Sequence, residues 1–446
     1  MKTENRRRFL KKSVVVTAGI AAGAPAYIKG YSQVKPSDKI NVAVAGIRSR
    51  GKNHIENFIK INDSRVVAIC DVDENLFAGT TLQIEKLGGD KPKIFNDFRK
   101  MLEDKSIDVI SIATPGYWHA LQTIWACQAG KDVYVEKPVS YNILEGRKMV
   151  QAAGKYERIV QVGMQRRANR AFQQGVRLLQ EGAIGDIYMG RGLVYRHRAS
   201  IGRVADSPVP AGVNWDLYRG PAPMIPFNKN HFHYNWHWYW DTSTSEFGNN
   251  GIHVMDRIRM AMKIDTHPSK ISCRGGFYGW DSDQEIPNLE VAIFQYDDGK
   301  VLELEVRSLF TPGEEGSMML FGTKGYALLG NGVSTFIGTE KKPGPKFSES
   351  DLKPEPRWDE FVKAGVDYHF VNFLDCVKSR KKQDLIAEIG EGHLSTAMMH
   401  LGNIAYRTGR TLTFDGKSEK FINDDDANTY LTRKEYRKPY VLPEVV

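Results

Sequence analysis

From Lys39 onward the chain alternates short, almost wholly apolar runs with longer stretches of helical periodicity. KINVAVAG is followed by a helical stretch at 51–61, RVVAIC by one at 73–87, IDVISIAT by one at 116–129 and DVYVEKP by one at 141–154. RIVQVG at 158–163 reads as one more strand. A strand covered by helices on both faces is apolar throughout, whereas a half-exposed strand alternates. The rhythm therefore predicts βαβ units and a mostly parallel sheet over residues 37–163.

After about Gly163 the pattern changes. A helical segment at 168–181 leads into IYMGRGLVYR and later into LEVAIFQYDDGKVLELEVRSLF. There Val291, Ile293 and Gln295 oppose Ala292, Phe294 and Tyr296, and Asp298-Gly299 carries a hairpin-turn signal. Residues 164–416 are thus expected to form an α+β domain with a largely antiparallel open sheet. Within it, 196–248 is a long insertion rich in proline and aromatic residues, and a loop of that length is more often functional than idle. Helices at about 366–379 and 389–408 should pack the two domains together. The stretch 341–357 and the polar tail 417–446 read as surface wrapping.

Composition narrows the class. The chain has 446 residues, 41% hydrophobic and 26% charged, which excludes both a disordered chain and a small stapled scaffold. Cys70, Cys127, Cys273 and Cys376 form no CxxC or Cys/His pattern, so neither a disulfide framework nor a structural zinc site is expected. The formal charge of +9 sits largely at the front: Lys2, Arg6, Arg7, Arg8, Lys11 and Lys12 face Glu4, and the remainder carries +4. A nearly balanced body gives no footprint for nucleic acid.

That basic front is an address. NRRRFLKK at 5–12 precedes an apolar stretch from Ser13 to Ala24 and the small-residue pattern Ala24-Pro25-Ala26. The apolar stretch is too short for a span needing about 20 helical residues, so no permanent membrane anchor is expected. Arg6-Arg7 with the following Phe-Leu-Lys resembles the twin-arginine export signal. The expectation is a signal peptide over 1–26, cleaved near Ala26 after passage through the twin-arginine export machinery, and a periplasmic or otherwise exported protein. A protein exported already folded would carry its cofactor with it.

Candidate chemistry begins after the first strand, at Gly46-Ile47-Arg48-Ser49-Arg50-Gly51, with Asp71 ending the second strand. Gly46 permits a tight turn, the helix from Gly51 points its N–H groups at a pyrophosphate, and Asp71 accepts hydrogen bonds from ribose hydroxyls. A Rossmann dinucleotide site is implied. An acidic residue there repels a 2′-phosphate, so NAD is favoured over NADP, with Arg48 and Arg50 leaving a lesser case for the latter. Arg48 occupies the position of the second fingerprint glycine and must point away or touch phosphate. Glu136-Lys137-Pro138 ends the fourth strand, at the carboxyl edge where open parallel sheets bind ligands. There Lys137 reads as a proton-handling group, or else as a surface lysine at a strand end.

Together these pieces resemble the Gfo/Idh/MocA oxidoreductases, the family of glucose-fructose oxidoreductase and inositol dehydrogenase, in an exported branch. The matching segments are GIRSRG with Asp71, the run from Ala113 through Trp118-His119 to Gly130, VEKP, and Gly251-x-His253-x-x-Asp256. The resemblance implies cofactor contacts from Gly46, Ile47, Arg48, Arg50, Gly51, Asp71, Thr114, Pro115, His119, Glu136 and Lys137. It also implies that Lys137 assists proton transfer, that Pro138 follows a cis bond, that His253 is a second proton-handling group, and that copies of the chain associate. Many members read Asp-x-Gly-x-His where this chain has Asn249-Asn250-Gly251-Ile252-His253. Asn249 can orient a hydroxyl but carries no charge with which to stabilise a protonated histidine.

The insertion offers Trp215, Tyr218, Trp236, His237, Trp238 and Trp240, either as core or as a wall for the apolar face of a sugar, with Asn250 and Asp256 for its hydroxyls. His231, His233, His237, Asp241 and Glu246 lack a frame that would converge them on a metal, and none is expected. The functional expectation is an NAD-dependent oxidoreductase acting on a secondary hydroxyl or keto group of a sugar, sugar derivative or cyclitol. A redox-neutral glycoside-processing enzyme with tightly bound NAD and a non-catalytic NAD-dependent sugar binder are the alternatives.

Overall fold

A computed structural model describes residues 39–310 and 318–446. The twin-arginine segment and its cleavage site lie outside the described residues. The strands are β1 (Ile40–Ala45), β2 (Ser64–Cys70), β3 (Lys93–Phe95), β4 (Val109–Ile112), β5 (Asp132–Val135) and β6 (Val160–Val162). They form a six-stranded parallel sheet in the order β3-β2-β1-β4-β5-β6. The reversal of strand order beside β1 opens the crevice in which such sheets bind ligands. The apolar runs behave as their composition demands: β4 and β5 are buried at every position. Two pieces were not legible in the pattern, β3 and the short helix Phe98–Leu102. An edge strand of three residues, two of them exposed, leaves almost no periodic signal.

The second sheet comprises β7 (Ile187–Tyr195), β8 (Lys270–Gly276), β9 (Leu289–Gln295), β10 (Val301–Arg307), β11 (Met318–Gly322), β12 (Gly325–Leu329), β13 (Val333–Ile337), β14 (Lys342–Phe347), β15 (Leu412–Asp415) and β16 (Lys420–Phe421). Its order is β14-β13-β12-β11-β7-β10-β9-β8-β15-β16, antiparallel except for the β7–β10 pair. The turn at Asp298-Gly299 joins β9 to β10 as expected, with Gly299 at φ +86°. On β9 the buried face is Glu290, Ala292 and Phe294, so one carboxyl sits where the alternation calls for an apolar residue. Helix Ile252–Met262 lies close on β7, because a Cβ at Gly192 would stand 2.5 Å from Val254 and one at Gly190 the same distance from Ile258. This fixes the height of the helix that carries His253.

Helix Tyr368–Ser379 covers the first sheet. Phe370, Phe373 and Leu374 join Val42, Val44, Phe58 and Tyr134 in one core, and Phe370 stacks on Tyr134 with centroids 4.4 Å apart. Helix Ile389–Thr408 is buried along most of its length, between helix Ile143–Lys155 and β8. Of the two stretches read as surface wrapping, 341–357 does lie at the surface but includes a strand, and the tail is partly buried. The 341–357 stretch supplies β14, hydrogen-bonded to β13. The tail is anchored rather than draped, since Tyr440, Leu442 and Val446 are buried. Lys148 donates to the carbonyls of Pro443 and Glu444 (2.6 and 2.5 Å), and Lys155 to that of Val446 (2.5 Å). Among the described residues no helix is long and apolar enough to cross a membrane.

Candidate active site

A cavity of about 580 Å³ opens at the carboxyl ends of β1, β2, β4 and β5 and is roofed by the 196–248 insertion. Gly46 stands at φ +80°, and a Cβ there would lie 2.6 Å from the main chain of Ala113 and Thr114. Only glycine leaves that floor open. Asp71 accepts hydrogen bonds from the N–H of Ile47 (2.9 Å) and of Asp73 (3.1 Å), one on each oxygen. Burial pushes its carboxyl up to about 6 despite them. These features fit a dinucleotide: a backbone cradle with no side chain in the way, and a carboxylate with lone pairs left for ribose hydroxyls.

Among the expected cofactor contacts, Gly46, Arg48, Arg50, Asp71, Thr114, Pro115, His119, Glu136 and Lys137 line the cavity. Ile47 and Gly51 do not. The Ile47 side chain is buried in the core beneath β1 and its N–H serves Asp71, while Gly51 is buried in the first turn of helix Arg50–Lys60. Arg48 is exposed at the rim. Arg50 donates through Nε to Glu136 at 2.7 Å, so its charge is already partnered. Glu136 also accepts from His54 (3.0 Å) and Gln165 (2.8 Å). Burial would raise its carboxyl, but the Arg50 charge and the His54 contact hold it well below the ordinary carboxylate range. His119 bridges the carbonyls of Pro138 and Thr114 at 2.7 and 2.8 Å and so ties two wall loops together.

Lys137 ends β5 with its Nζ donating to the main-chain carbonyl of Asn249 at 2.7 Å, and the Lys137–Pro138 peptide is cis. Burial lowers the pKa of its ammonium, with Glu136 and Glu246 opposing. His253 lines the same cavity. Burial first, then the charges of Lys137 and Arg166, push it down to about 3, which leaves a neutral imidazole. Asn249 lies in a wide π-helical turn, Phe247–Gly251, a form that recurs at functional sites. It lines the cavity; its amide Nδ2 donates to Glu246 Oε1 at 3.1 Å, while its main-chain carbonyl is what meets Lys137.

The substrate-side expectations divide. Tyr218, Trp236 and His237 line the cavity with Tyr234 and Ser243–Ser245. Trp240, Asn250 and Asp256 lie outside its lining. Trp240 packs on Tyr406 and under Arg407, and Asn250 donates to Glu246 Oε2 at 2.5 Å. Asp256 is buried in a two-bond pair with Arg167 (2.7 Å each) and accepts from Ser395 at 2.6 Å, so its lone pairs serve the fold. Trp215 and Trp238 are core residues of the insertion. Among the groups set aside as metal ligands, His233 pairs with Asp73 at 3.0 Å and Asp241 with Arg219. Among the described residues His267, His393 and Glu419 do converge, their ligand atoms within 4.8 Å of one another. Glu419 Oε1 there accepts from both imidazoles (2.9 and 2.6 Å) and from Arg147 (2.6 Å), so hydrogen bonds close the cluster.

Sequence reasoning missed how the roof is fastened. Val213 forms a β-bridge with Asp73, Glu74 N–H donates to Gly212 at 2.8 Å and Asn214 N–H to Val72 at 2.9 Å. The Tyr117 hydroxyl donates to the Tyr218 carbonyl at 2.7 Å, and Trp118 Nε1 to that of Leu217 at 3.1 Å. The tail then pins the roof: Arg437 Nε donates to Gly220 (2.9 Å), the Tyr440 hydroxyl to Asp216 (2.6 Å) and Arg433 to the carbonyl of Asp241 (2.8 Å). Gln165 and Arg166, on the turn after β6, also line the site. No motif marked them.

A switch-point crevice with a glycine floor, an acidic second-strand end and a lysine facing a second domain defines a dinucleotide-binding α/β protein of oxidoreductase type. Residues 40–164 match an oxidoreductase family's NAD-binding Rossmann fold, and residues 196–318 and 354–442 match the C-terminal alpha/beta domain of such a family. The chain belongs to the Gfo/Idh/MocA oxidoreductase family, and its cofactor is NAD.

It is 31% identical to glycosyl hydrolase family 109 protein 2 of Shewanella sp. (strain ANA-3) over 159 residues, 32% of this chain and 35% of the relative. It is 25% identical to an alpha-N-acetylgalactosaminidase of Shewanella oneidensis over 205 residues, 42% of this chain and 45% of the relative. The chain thus spans less than half the length of these curated relatives. The WlbA dehydrogenase of Bordetella pertussis, solved with NADH and UDP-GlcNAcA, shares the fold at a TM-score of 0.63 and 20% identity, covering 85% of this chain and 99% of that one. An aldose-aldose oxidoreductase of Caulobacter crescentus does so at 0.63 and 15%, covering 84% and 100%.

Proposed function

We propose that the protein is an NAD-dependent enzyme acting on a secondary hydroxyl or keto group of a sugar, sugar derivative or cyclitol. The observation that carries this reading is the meeting of Lys137 and His253 in one cavity with the NAD floor at Gly46 and Asp71. When bound, NAD supplies the hydride acceptor, or in the reverse direction the donor. Lys137 takes or returns the hydroxyl proton: desolvation lowers the pKa of its ammonium and so favours the free amine, and the Asn249 carbonyl receives the ammonium once formed. His253, held neutral, offers a second acceptor. Trp236 gives a flat apolar surface for a pyranose face, and the roof keeps water from the reacting carbon. The test is a panel of sugars, cyclitols and glycosides followed by nicotinamide absorbance. Binding without any turnover across that panel would favour a non-catalytic sugar binder.

A second reading, redox-neutral processing of a glycoside, is supported by the roof pinned over the cleft and by the relatives named as glycosyl hydrolase family 109. In it the cofactor stays bound and is restored within each cycle. The same proposal includes twin-arginine export with NAD already loaded, and a homo-oligomer. Denaturing the purified protein and measuring NAD in the supernatant separates the readings. Near-stoichiometric NAD and glycoside cleavage without added cofactor favour the redox-neutral course, whereas a trace of NAD and activity restored by adding it favour net oxidation. Processing near Ala26 is checked by N-terminal sequencing of the exported form, and association by light scattering.

A further inference from the structure

Glu246 belongs to no motif, yet it is 1% exposed and fully engaged. Its Oε1 pairs with the guanidinium of Arg198 (Nη2 at 2.8 Å, Nε at 3.0 Å) and accepts from Asn249 Nδ2 at 3.1 Å, while Oε2 accepts from Asn250 Nδ2 at 2.5 Å. The two amides it holds are consecutive residues of the wide turn, and the carbonyl of the first of them receives the Lys137 ammonium. Position 249 itself is neutral. We propose that Glu246 is a positioning residue for Lys137: clamped by Arg198, it fixes the Asn249-Asn250 turn that holds the lysine, and it supplies the negative charge which Asn249 cannot.

Of the carboxyls near the Asn249-Asn250 turn, Glu246 is the ionised one that holds it. Burial raises the neighbouring Glu290 carboxyl to about 8, so it is protonated at neutral pH. Burial opposes ionisation of Glu246 as well, but Arg198, His237 and the two amides hold it below the ordinary carboxylate value. Around Lys137 the facing charged and titratable groups are Glu136 beside it, Arg50 from helix Arg50–Lys60, His119 from helix His119–Gln128, Arg198, His237 and Glu246 from the insertion, and His253 from helix Ile252–Met262. Glu136 also favours the ammonium; its Oε1 is taken by Arg50, His54 and Gln165, and its Oε2 accepts the main-chain N–H of Lys137 at 3.2 Å. Removing Glu246 would leave Arg198 as an unpaired cation near the lysine, and both changes favour the neutral amine.

The inference rests on the reading of Lys137 as the proton-handling group, but its test needs no substrate. Competitive labelling of the full-length, as-purified protein with acetic anhydride across pH, read by peptide mass spectrometry, gives the midpoint at which Lys137 becomes nucleophilic. E246Q should lower that midpoint by about one pH unit or more. The double variant E246Q/N249D, which moves the carboxylate three residues along the same turn, should restore it toward the wild-type value. E246D, which keeps the charge, should lie near wild type. An unchanged midpoint in E246Q, or a fall that N249D does not reverse, overturns the proposal. Should E246Q not fold, the pair R198M and R198M/E246Q serves: with the cation gone from both, loss of Glu246 must still lower the midpoint relative to R198M alone, and equal midpoints overturn the proposal. If labelling behaves as expected while Lys137→Ala still turns over substrate, the placing of the lysine stands and its catalytic role fails.

Discussion

One half of the cavity is built from strand ends and the helices that follow them between Gly46 and Lys137, over a floor of main chain at Gly46 and Ala113–Thr114. The other half takes Gln165 and Arg166 from one turn, Tyr218 to Ser245 from the insertion and Asn249 and His253 from a later helix and its leading turn. Those pieces hold their places through side-chain bonds across long stretches of sequence, such as the Lys137–Asn249 contact 112 residues apart. A backbone cradle tolerates few substitutions at few positions. A site assembled from side chains fails by degrees, except where a single group does the chemistry. The comparison predicts different responses to mutation on the two sides.

The largest effect is expected at the point where the halves meet. Lys137→Ala should reduce turnover by about a thousandfold, in line with loss of a general acid-base group, while NAD affinity changes by no more than a few-fold. Steady-state kinetics on a substrate from the panel, with NAD titration of the same protein, checks both numbers. Ordinary turnover in the alanine variant would remove the lysine from the mechanism.

Next comes the cradle. Gly46→Ala places a methyl 2.6 Å from the Ala113 main chain at a φ that other residues avoid, and should weaken NAD binding about a hundredfold, with a lower melting temperature. An alanine variant that binds NAD normally would show that the floor can yield, and the contrast between the halves would lose its basis.

Asp71→Ser sharpens the contrast at smaller amplitude. Removing a charge that repels a 2′-phosphate should shift the preference from NAD toward NADP by about tenfold. Equilibrium titration with both dinucleotides measures it, and a wild-type preference for NADP would contradict the role given to Asp71.

The smallest effect is in pH. Burial raises Asp71 to about 6, above its unfolded value near ~3.9. The folded state therefore binds the extra proton, and the protein freed of NAD should lose stability as pH rises from about 4 to about 6. Ribose hydroxyls donate best to the ionised carboxylate, so NAD affinity should tighten several-fold over the upper part of that window. Melting curves without cofactor and calorimetric titrations at pH 5 and 7 read the two opposite slopes, and Asp71→Asn should flatten both.

Legibility followed the same divide. The parallel first sheet, the largely antiparallel second sheet, the hairpin at Asp298-Gly299 and the two late helices were readable because each is encoded by a local period or a turn residue. The nine cofactor-side residues that line the cavity were reached from one fingerprint, one acidic strand end, one Thr-Pro-to-His run and one strand-end tripeptide. Ile47 falls outside the lining because a fingerprint marks a loop, and which residue of the loop faces inward depends on the strand's pleat. Trp240 and Asp256 lie outside the lining and were not distinguishable from lining residues, because an aromatic or a carboxylate has the same sequence signature whether it faces a cavity or meets Tyr406 and Arg167.

What the sequence by itself determined is the order of elements, the glycine that opens the NAD floor and the lysine at the end of β5. Each depends on conformational preferences carried by a residue and its near neighbours. The tertiary structure alone decided that the Asn249 carbonyl, not its amide, meets Lys137, that Glu246 backs that turn, and that the tail fastens the roof through Arg437 and Tyr440. Those outcomes turn on which polar groups are buried together and must satisfy one another, and burial is a property of the whole fold.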